Sequence, residues 1–188
     1  MTLANKITLT RIALIPILVI LMVVGTPACM IWALVLFVVT SATDFLDGYV
    51  ARKYNQVTDF GKFVDPLADK LLVTAALVMF VDQGLISGAM VWIILAREFM
   101  ITSLRTIAAM KGTAMAAAWS GKVKTCVQIA GIIVIFLCEI VSGGTMSAAT
   151  AALCTVAGWI MTIVTLYSGY DYLSRNWKLI ADGATKKK

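Results

Sequence analysis

Asp44-Phe45-Leu46-Asp47-Gly48-Tyr49-Val50-Ala51-Arg52 and, eight residues further on, Gly61-Lys62-Phe63-Val64-Asp65-Pro66-Leu67-Ala68-Asp69 set four carboxylates at the junction of two strongly apolar runs. At helical spacing, positions 44, 47, 48 and 51 share one face, which carries two carboxylates followed by two residues with almost no side chain. Positions 61, 65 and 69 share a face of the next helix. Two apolar helices joined by a short loop lie antiparallel. The four aspartates therefore converge at one membrane boundary.

The composition around this stretch supports the membrane reading. Of 188 residues, 61% are hydrophobic and only 14% are charged. That is far more apolar surface than a soluble core of this size buries. Six apolar runs are each long enough to cross about 30 Å of hydrocarbon. They fall at roughly 8–25, 29–54, 62–82, 88–110, 121–141 and 147–174. Turn chemistry separates them at Gly25-Thr26-Pro27, Asp82-Gln83-Gly84, Ser87-Gly88 and Ser142-Gly143-Gly144. Pro66 is expected in the first turn of its helix, and the four cysteines as buried free thiols. Nothing in the chain reads as a linker, repeat or low-complexity tract, so residues 1–188 form one transmembrane domain.

Charge placement gives an orientation. Lys6 and Arg11 flank the first run. Arg52, Lys53 and Lys62 fill the second connection; Lys111, Lys122 and Lys124 fill the fourth; Arg175, Lys178 and the lysine tail follow the sixth. The first, third and fifth connections hold no Lys or Arg. This is the positive-inside pattern of an all-α integral membrane protein with six transmembrane helices and both termini cytoplasmic. In this orientation the multi-pass chain is expected to hold the aspartates at the cytoplasmic face of its membrane. A net charge of +6 suits anionic lipid headgroups or phosphorylated substrates, and no soluble basic domain remains to carry nucleic acid.

One ionised Asp at the membrane centre costs about 2.5–3.5 kcal/mol, and four unpaired ones on the order of 10 kcal/mol. Arg52, Lys62 and Lys70 offset part of this, but not through the several oxygen contacts that a divalent cation accepts. One or two divalent ions are therefore expected. The chain has no histidine, so oxygen ligands dominate and Mg²⁺, Mn²⁺ or Ca²⁺ fits the donor set. Gly48, Ala51 and Gly61 leave a groove beside the carboxylates for a flat or bulky group such as a nucleotide, and Arg52 is placed to meet a phosphate.

The pattern D-x2-D-G-x2-A-R-x8-G-x3-D-x3-D resembles the signature of the CDP-alcohol phosphotransferase family at all eight of its fixed positions. The resemblance implies that Asp44, Asp47 and Asp65 hold a pair of Mg²⁺ or Mn²⁺ ions. It implies that Asp69 is the general base on the acceptor hydroxyl, touching a metal as well. It also implies that Gly48, Ala51, Arg52 and Gly61 line the nucleotide site together with Asn5 and Thr8, although Ala4 replaces the family's usual proline before that Asn. A homodimer is the family's expected assembly.

Two further segments bear on the acceptor. Ala96-Arg97-Glu98 with Thr102, Ser103 and Arg105 lies deep in the fourth run. Gly121-Lys122-Val123-Lys124-Thr125 with Gln128 opens the fifth. Intramembrane charges are functional by default, although Glu98 and Arg105, seven apart on one face, can also pair simply with each other. Arg97, Arg105, Lys122 and Lys124 make a basic lining sized for an extra phosphate. The strings A-R-E-x-x-I-x-x-L-R and G-K-x-K-T-x-x-Q resemble members of the family that use a phosphorylated acceptor. The expected substrates are CDP-diacylglycerol and sn-glycerol 3-phosphate within a lipid membrane, and the expected products phosphatidylglycerophosphate and CMP. Two alternatives stay open. One is a sister enzyme using serine, inositol phosphate or phosphatidylglycerol as acceptor. The other is a small cation transporter, which would spread its acidic residues through the membrane depth rather than cluster them at one face.

Overall fold

The computed structural model describes the backbone of residues 3–53, 59–110 and 119–177, and the side chains of residues 9–43, 68, 70–109 and 119–177. These residues form six helices and no strand: α1 (Leu3–Val24), α2 (Pro27–Lys53), α3 (Asp59–Asp82), α4 (Gly88–Met110), α5 (Trp119–Ser142) and α6 (Ala148–Arg175). All six apolar runs are helical. Four begin earlier than apolarity alone marks, most of all α1 at Leu3 and α3 at Asp59. Asn5, Lys6 and Thr8 are compatible with a helical backbone although they end the hydrophobic signal. Pro66 consequently lies in the interior of α3, not in its first turn. Pro16 lies within α1. Such prolines are tolerated in apolar bundles, where neighbouring groups satisfy the freed carbonyl.

Local chemistry stops and restarts each helix. Gly25 turns the chain at φ 64°, the Thr26 hydroxyl accepts the Cys29 amide at 3.3 Å, and Pro27 opens α2 where a missing amide costs nothing. At the end of α3, Gly84 takes φ 72°. The Gly84 amide reaches the Val81 carbonyl and the Leu85 amide reaches that of Phe80. This is a Schellman closure, with Leu85 and Phe80 both buried. Ser147 caps α6 by accepting the Thr150 amide at 3.2 Å.

The helices alternate in direction. Gln83, just past α3, donates to the Met22 carbonyl near the end of α1 at 3.0 Å, so those two run parallel. α5 and α6 run antiparallel, since Ser120 meets Asp171 and Gly131 meets Met161. Neighbours follow a ring in the order α1, α2, α5, α6, α4, α3 and back to α1. At its centre Phe136 of α5 packs edge-on against Phe80 of α3, with centroids 4.9 Å apart, and against Phe37 of α2 at 5.9 Å. One buried apolar cluster draws on all six helices.

The outer face is apolar as well. Ile20, Trp92, Val141 and Ile163 are 61%, 71%, 79% and 59% exposed, a surface that water does not tolerate at this extent. Among the described residues, Trp119–Ser142 and Ala148–Arg175 are each long and apolar enough to cross a membrane. The protein is an all-helical membrane protein. Of the cysteines, Cys138 and Cys154 are buried, Cys29 is half-buried and Cys126 is exposed; all four are free.

Candidate functional site

The end of α2, the start of α3, the end of α4, the start of α5 and the end of α6 meet at one end of this up-and-down bundle. Asp44, Asp47, Gly48, Ala51 and Arg52 fall in the last turns of α2, and Gly61, Asp65 and Asp69 in the first half of α3. The backbone is helical through both segments. The spacing of 44 to 47 and of 65 to 69 is therefore about one turn in each helix. Asn5 and Thr8 lie in the first turns of α1, which packs against both α2 and α3. The side chains of all these positions lie outside the described residues. The donor set is carboxylate oxygen with no histidine in the chain, which fits a hard divalent cation.

Beside this end stands a charged cluster inside the bundle. Glu98 of α4 is its hub. Its Oε1 accepts from Arg97 Nη1 at 2.9 Å and lies 2.7 Å from Lys124 Nζ of α5. Its Oε2 accepts from Lys70 Nζ of α3 at 2.9 Å. Arg97 then reaches across to α6, donating from Nη2 to the Ser168 hydroxyl at 2.7 Å. Its aliphatic stem packs on Gly169, where a Cβ would stand 3.1 Å from Arg97 Cγ. Lys124 is 5% exposed and Arg97 9%. One carboxylate thus holds cations from three helices, and a fourth helix anchors one of them.

The sequence expectation of four basic residues in one lining divides here. Arg97 and Lys124 come together around Glu98. Arg105 does not pair with Glu98. Two turns further along α4, it donates from Nε to the Tyr172 hydroxyl at 3.2 Å and sets its guanidinium 5.3 Å from that ring's centroid. Lys122 is exposed, because two residues along a helix is a rotation of about 200° from buried Lys124. Two participants are not marked by the sequence: Lys70 reads as a neutraliser of the neighbouring acidic motif, and Ser168 gives no signal within an apolar helix. Arg11, which reads as a flanking topology charge, is 3% exposed. Nearer the bundle end, Asp171 accepts from Ser120 at 2.5 Å and from Arg175 Nε at 2.6 Å, clamping the start of α5 to the end of α6.

The fold and site together define a helical membrane protein with an acidic motif and a buried basic cluster at one end of its bundle. Comparison with known proteins gives the lineage. The profile of the CDP-alcohol phosphatidyltransferase family matches residues 1–167. A relative from Bacillus subtilis (strain 168), named CDP-diacylglycerol--glycerol-3-phosphate 3-phosphatidyltransferase, is 40% identical over 95% of this chain and 96% of its own. One of the same name from Rickettsia bellii (strain RML369-C) is 35% identical over 90% of this chain and 92% of its own. A probable phosphatidylglycerophosphate synthase from Mycobacterium tuberculosis (strain H37Rv) is 35% identical over 92% and 80%. The chain belongs to the CDP-alcohol phosphatidyltransferase family, and is a membrane enzyme of that family.

Proposed function

We propose that this enzyme transfers the phosphatidyl group of CDP-diacylglycerol to sn-glycerol 3-phosphate, giving phosphatidylglycerophosphate and CMP. The observation that carries the choice of acceptor is the convergence of Lys70, Arg97 and Lys124 on a single carboxylate, which among the described residues leaves an excess of positive charge inside the bundle. Serine and free inositol bring no phosphate to meet it. The names of the curated relatives, at 35–40% identity over nearly the whole chain, support the same reaction.

In the reaction, the acceptor hydroxyl oxygen forms a bond to the phosphatidyl phosphorus. The bond from that phosphorus to the oxygen of CMP breaks, and its electron pair leaves with CMP. Asp69 takes the hydroxyl proton. Asp44, Asp47, Asp65 and Asp69 are the carboxylates that would hold two Mg²⁺ or Mn²⁺ ions, which when bound neutralise the diphosphate and ease departure of CMP. Gly48, Ala51, Arg52, Gly61, Asn5 and Thr8 form the nucleotide site. Arg97, Lys124, Arg105 and Lys122 attract and seat the acceptor phosphate, the first two in the interior and the others nearer its mouth. Transfer of this kind depends on positioning and charge stabilisation rather than a covalent nucleophile.

The chain is read as a single domain crossing the bacterial inner membrane six times, with both termini and the active site on the cytoplasmic side, and assembling as a homodimer. The purified protein, given CDP-diacylglycerol and Mg²⁺, should release CMP with sn-glycerol 3-phosphate and at least a hundredfold less with serine or inositol. Chelation should abolish release and Mg²⁺ or Mn²⁺ restore it. Asp69→Asn should lose turnover while keeping its melting temperature. Turnover with serine equal to that with glycerol 3-phosphate would refute the acceptor assignment.

A further inference from the structure

Glu98 sits among the cations that would otherwise seat a phosphate, and three facts say what it does there. First, the cluster is unbalanced: Lys70, Arg97 and Lys124 contribute three positive charges against the single carboxylate to which all are bonded. Among the described residues this leaves two positive charges in excess within an apolar bundle, where uncompensated charge is costly. Second, donors remain unmet beside it. Arg97 Nε is buried with no partner, and so is Nε2 of Gln128, 3% exposed and one turn along α5 from Lys124. Buried donors without partners mark a missing acceptor atom. Third, the cluster is open on one side. Lys70 and Glu98 keep 20% and 17% of their side-chain surface, against 5% for Lys124.

We infer that Glu98 is the positioning residue of the acceptor site, fixing Lys70, Arg97 and Lys124 as one unit whose excess charge matches a phosphate monoester dianion, and that Lys70 is a further phosphate-binding residue. The inference rests on the acceptor-phosphate reading above and deepens it. Without the carboxylate, three cations held near one point repel one another, and buried Lys124 loses its counter-ion. With it, the cations are held in place before the ligand arrives, and a dianion brings the group to neutrality. A phosphodiester, with one charge, leaves it unbalanced. The site thus selects an acceptor ending in a phosphate monoester over one whose phosphate is already esterified twice.

The test uses the full chain in mixed micelles with CDP-diacylglycerol and Mg²⁺, comparing Lys70→Met, Glu98→Gln, Glu98→Asp and Lys124→Met. Lys70→Met and Glu98→Gln should each raise the KM for sn-glycerol 3-phosphate at least tenfold. The KM for CDP-diacylglycerol should stay within about twofold, and Glu98→Asp should recover part of the loss. In the unaltered enzyme, methyl phosphate should compete with the acceptor at least tenfold better than dimethyl phosphate. If Lys124→Met raises the acceptor KM while Lys70→Met does not, the inference falls and the acceptor assignment stands. If Lys124→Met also leaves the acceptor KM unmoved, the acceptor-phosphate site itself falls, and the inference with it. Should Glu98→Gln fail to fold, Lys70→Met and the two competitors decide. Equal inhibition by the two phosphates overturns the charge match.

Discussion

Ser168 shows how much a single hydroxyl can carry at this site. Its oxygen accepts from Arg97 Nη2 at 2.7 Å with both groups inside the bundle. It holds one terminal nitrogen of the guanidinium while Glu98 holds the other. Ser168→Ala would leave a charged, buried donor without its acceptor, a loss of about 1–3 kcal/mol. If that loss is expressed in placing Arg97, the KM for sn-glycerol 3-phosphate should rise about tenfold, with the KM for CDP-diacylglycerol unchanged. A parallel rise in both would mean that the variant has loosened the helix rather than the arginine. At this scale the sequence was legible where charge interrupts an apolar run, as at Arg97, Glu98 and Lys124. It was illegible where the partner is a small hydroxyl or lies on a distant helix. Glu98 and Arg105 share a face, yet two turns separate them by about 10 Å along the axis. Nearer cations from α3 and α5 therefore take the carboxylate, and Tyr172 takes the arginine.

Between helices, close approach depends on glycine. A Cβ on Gly131 of α5 would stand 2.6 Å from the sulfur and 2.7 Å from Cγ of Met161 on α6. The first atom can swing aside, but the second is nearer the backbone and cannot move far. Gly131→Val should therefore push α5 and α6 apart and destabilise the protein by about 1–3 kcal/mol. This would be read as a lowered melting temperature in detergent. Pairing Gly131→Ala with Met161→Ala should restore more stability than independent effects allow, because the two changes share one contact. Strict additivity would show that the clash is relieved elsewhere. Element boundaries follow the same logic of what apolarity can report. Turns signalled by Gly25, Gly84 and Gly143-Gly144 fall where the sequence marks them, because φ above zero is a local requirement; the cap at Ser147 carries no such mark. Apolarity marks the starts of α1 and α3 too late, because polar first turns are helical without being hydrophobic. The ring order of helices was not legible at all. It depends on which faces interlock, such as Phe136 against Phe37 and Phe80, and not on the pattern within any one helix.

Across the whole molecule, alternation of helix direction and alternation of charge have to agree. Short connections join α1 to α2, α3 to α4 and α5 to α6 at one end, and none of those three connections carries Lys or Arg. The other end carries the acidic motif and the basic cluster. Arginine and lysine resist transfer across the inner membrane, so the basic end is expected to stay inside. This expectation can be probed at three exposed positions in a variant whose four native cysteines are replaced by alanine. Ser87 and Thr145 lie in the charge-free connections, and Ser174 lies in the last turn of α6. In sealed, right-side-out vesicles a membrane-impermeant thiol reagent should label Ser87→Cys and Thr145→Cys but not Ser174→Cys. Inverted vesicles should reverse the pattern. Labelling of Ser174→Cys from the outside would place the charged end across the membrane from cytoplasmic glycerol 3-phosphate. The orientation would then be wrong even if the chemistry at Glu98 and Asp69 were right. Labelling of Ser87→Cys and Thr145→Cys from opposite sides would break the up-and-down alternation, and with it the count of six spans.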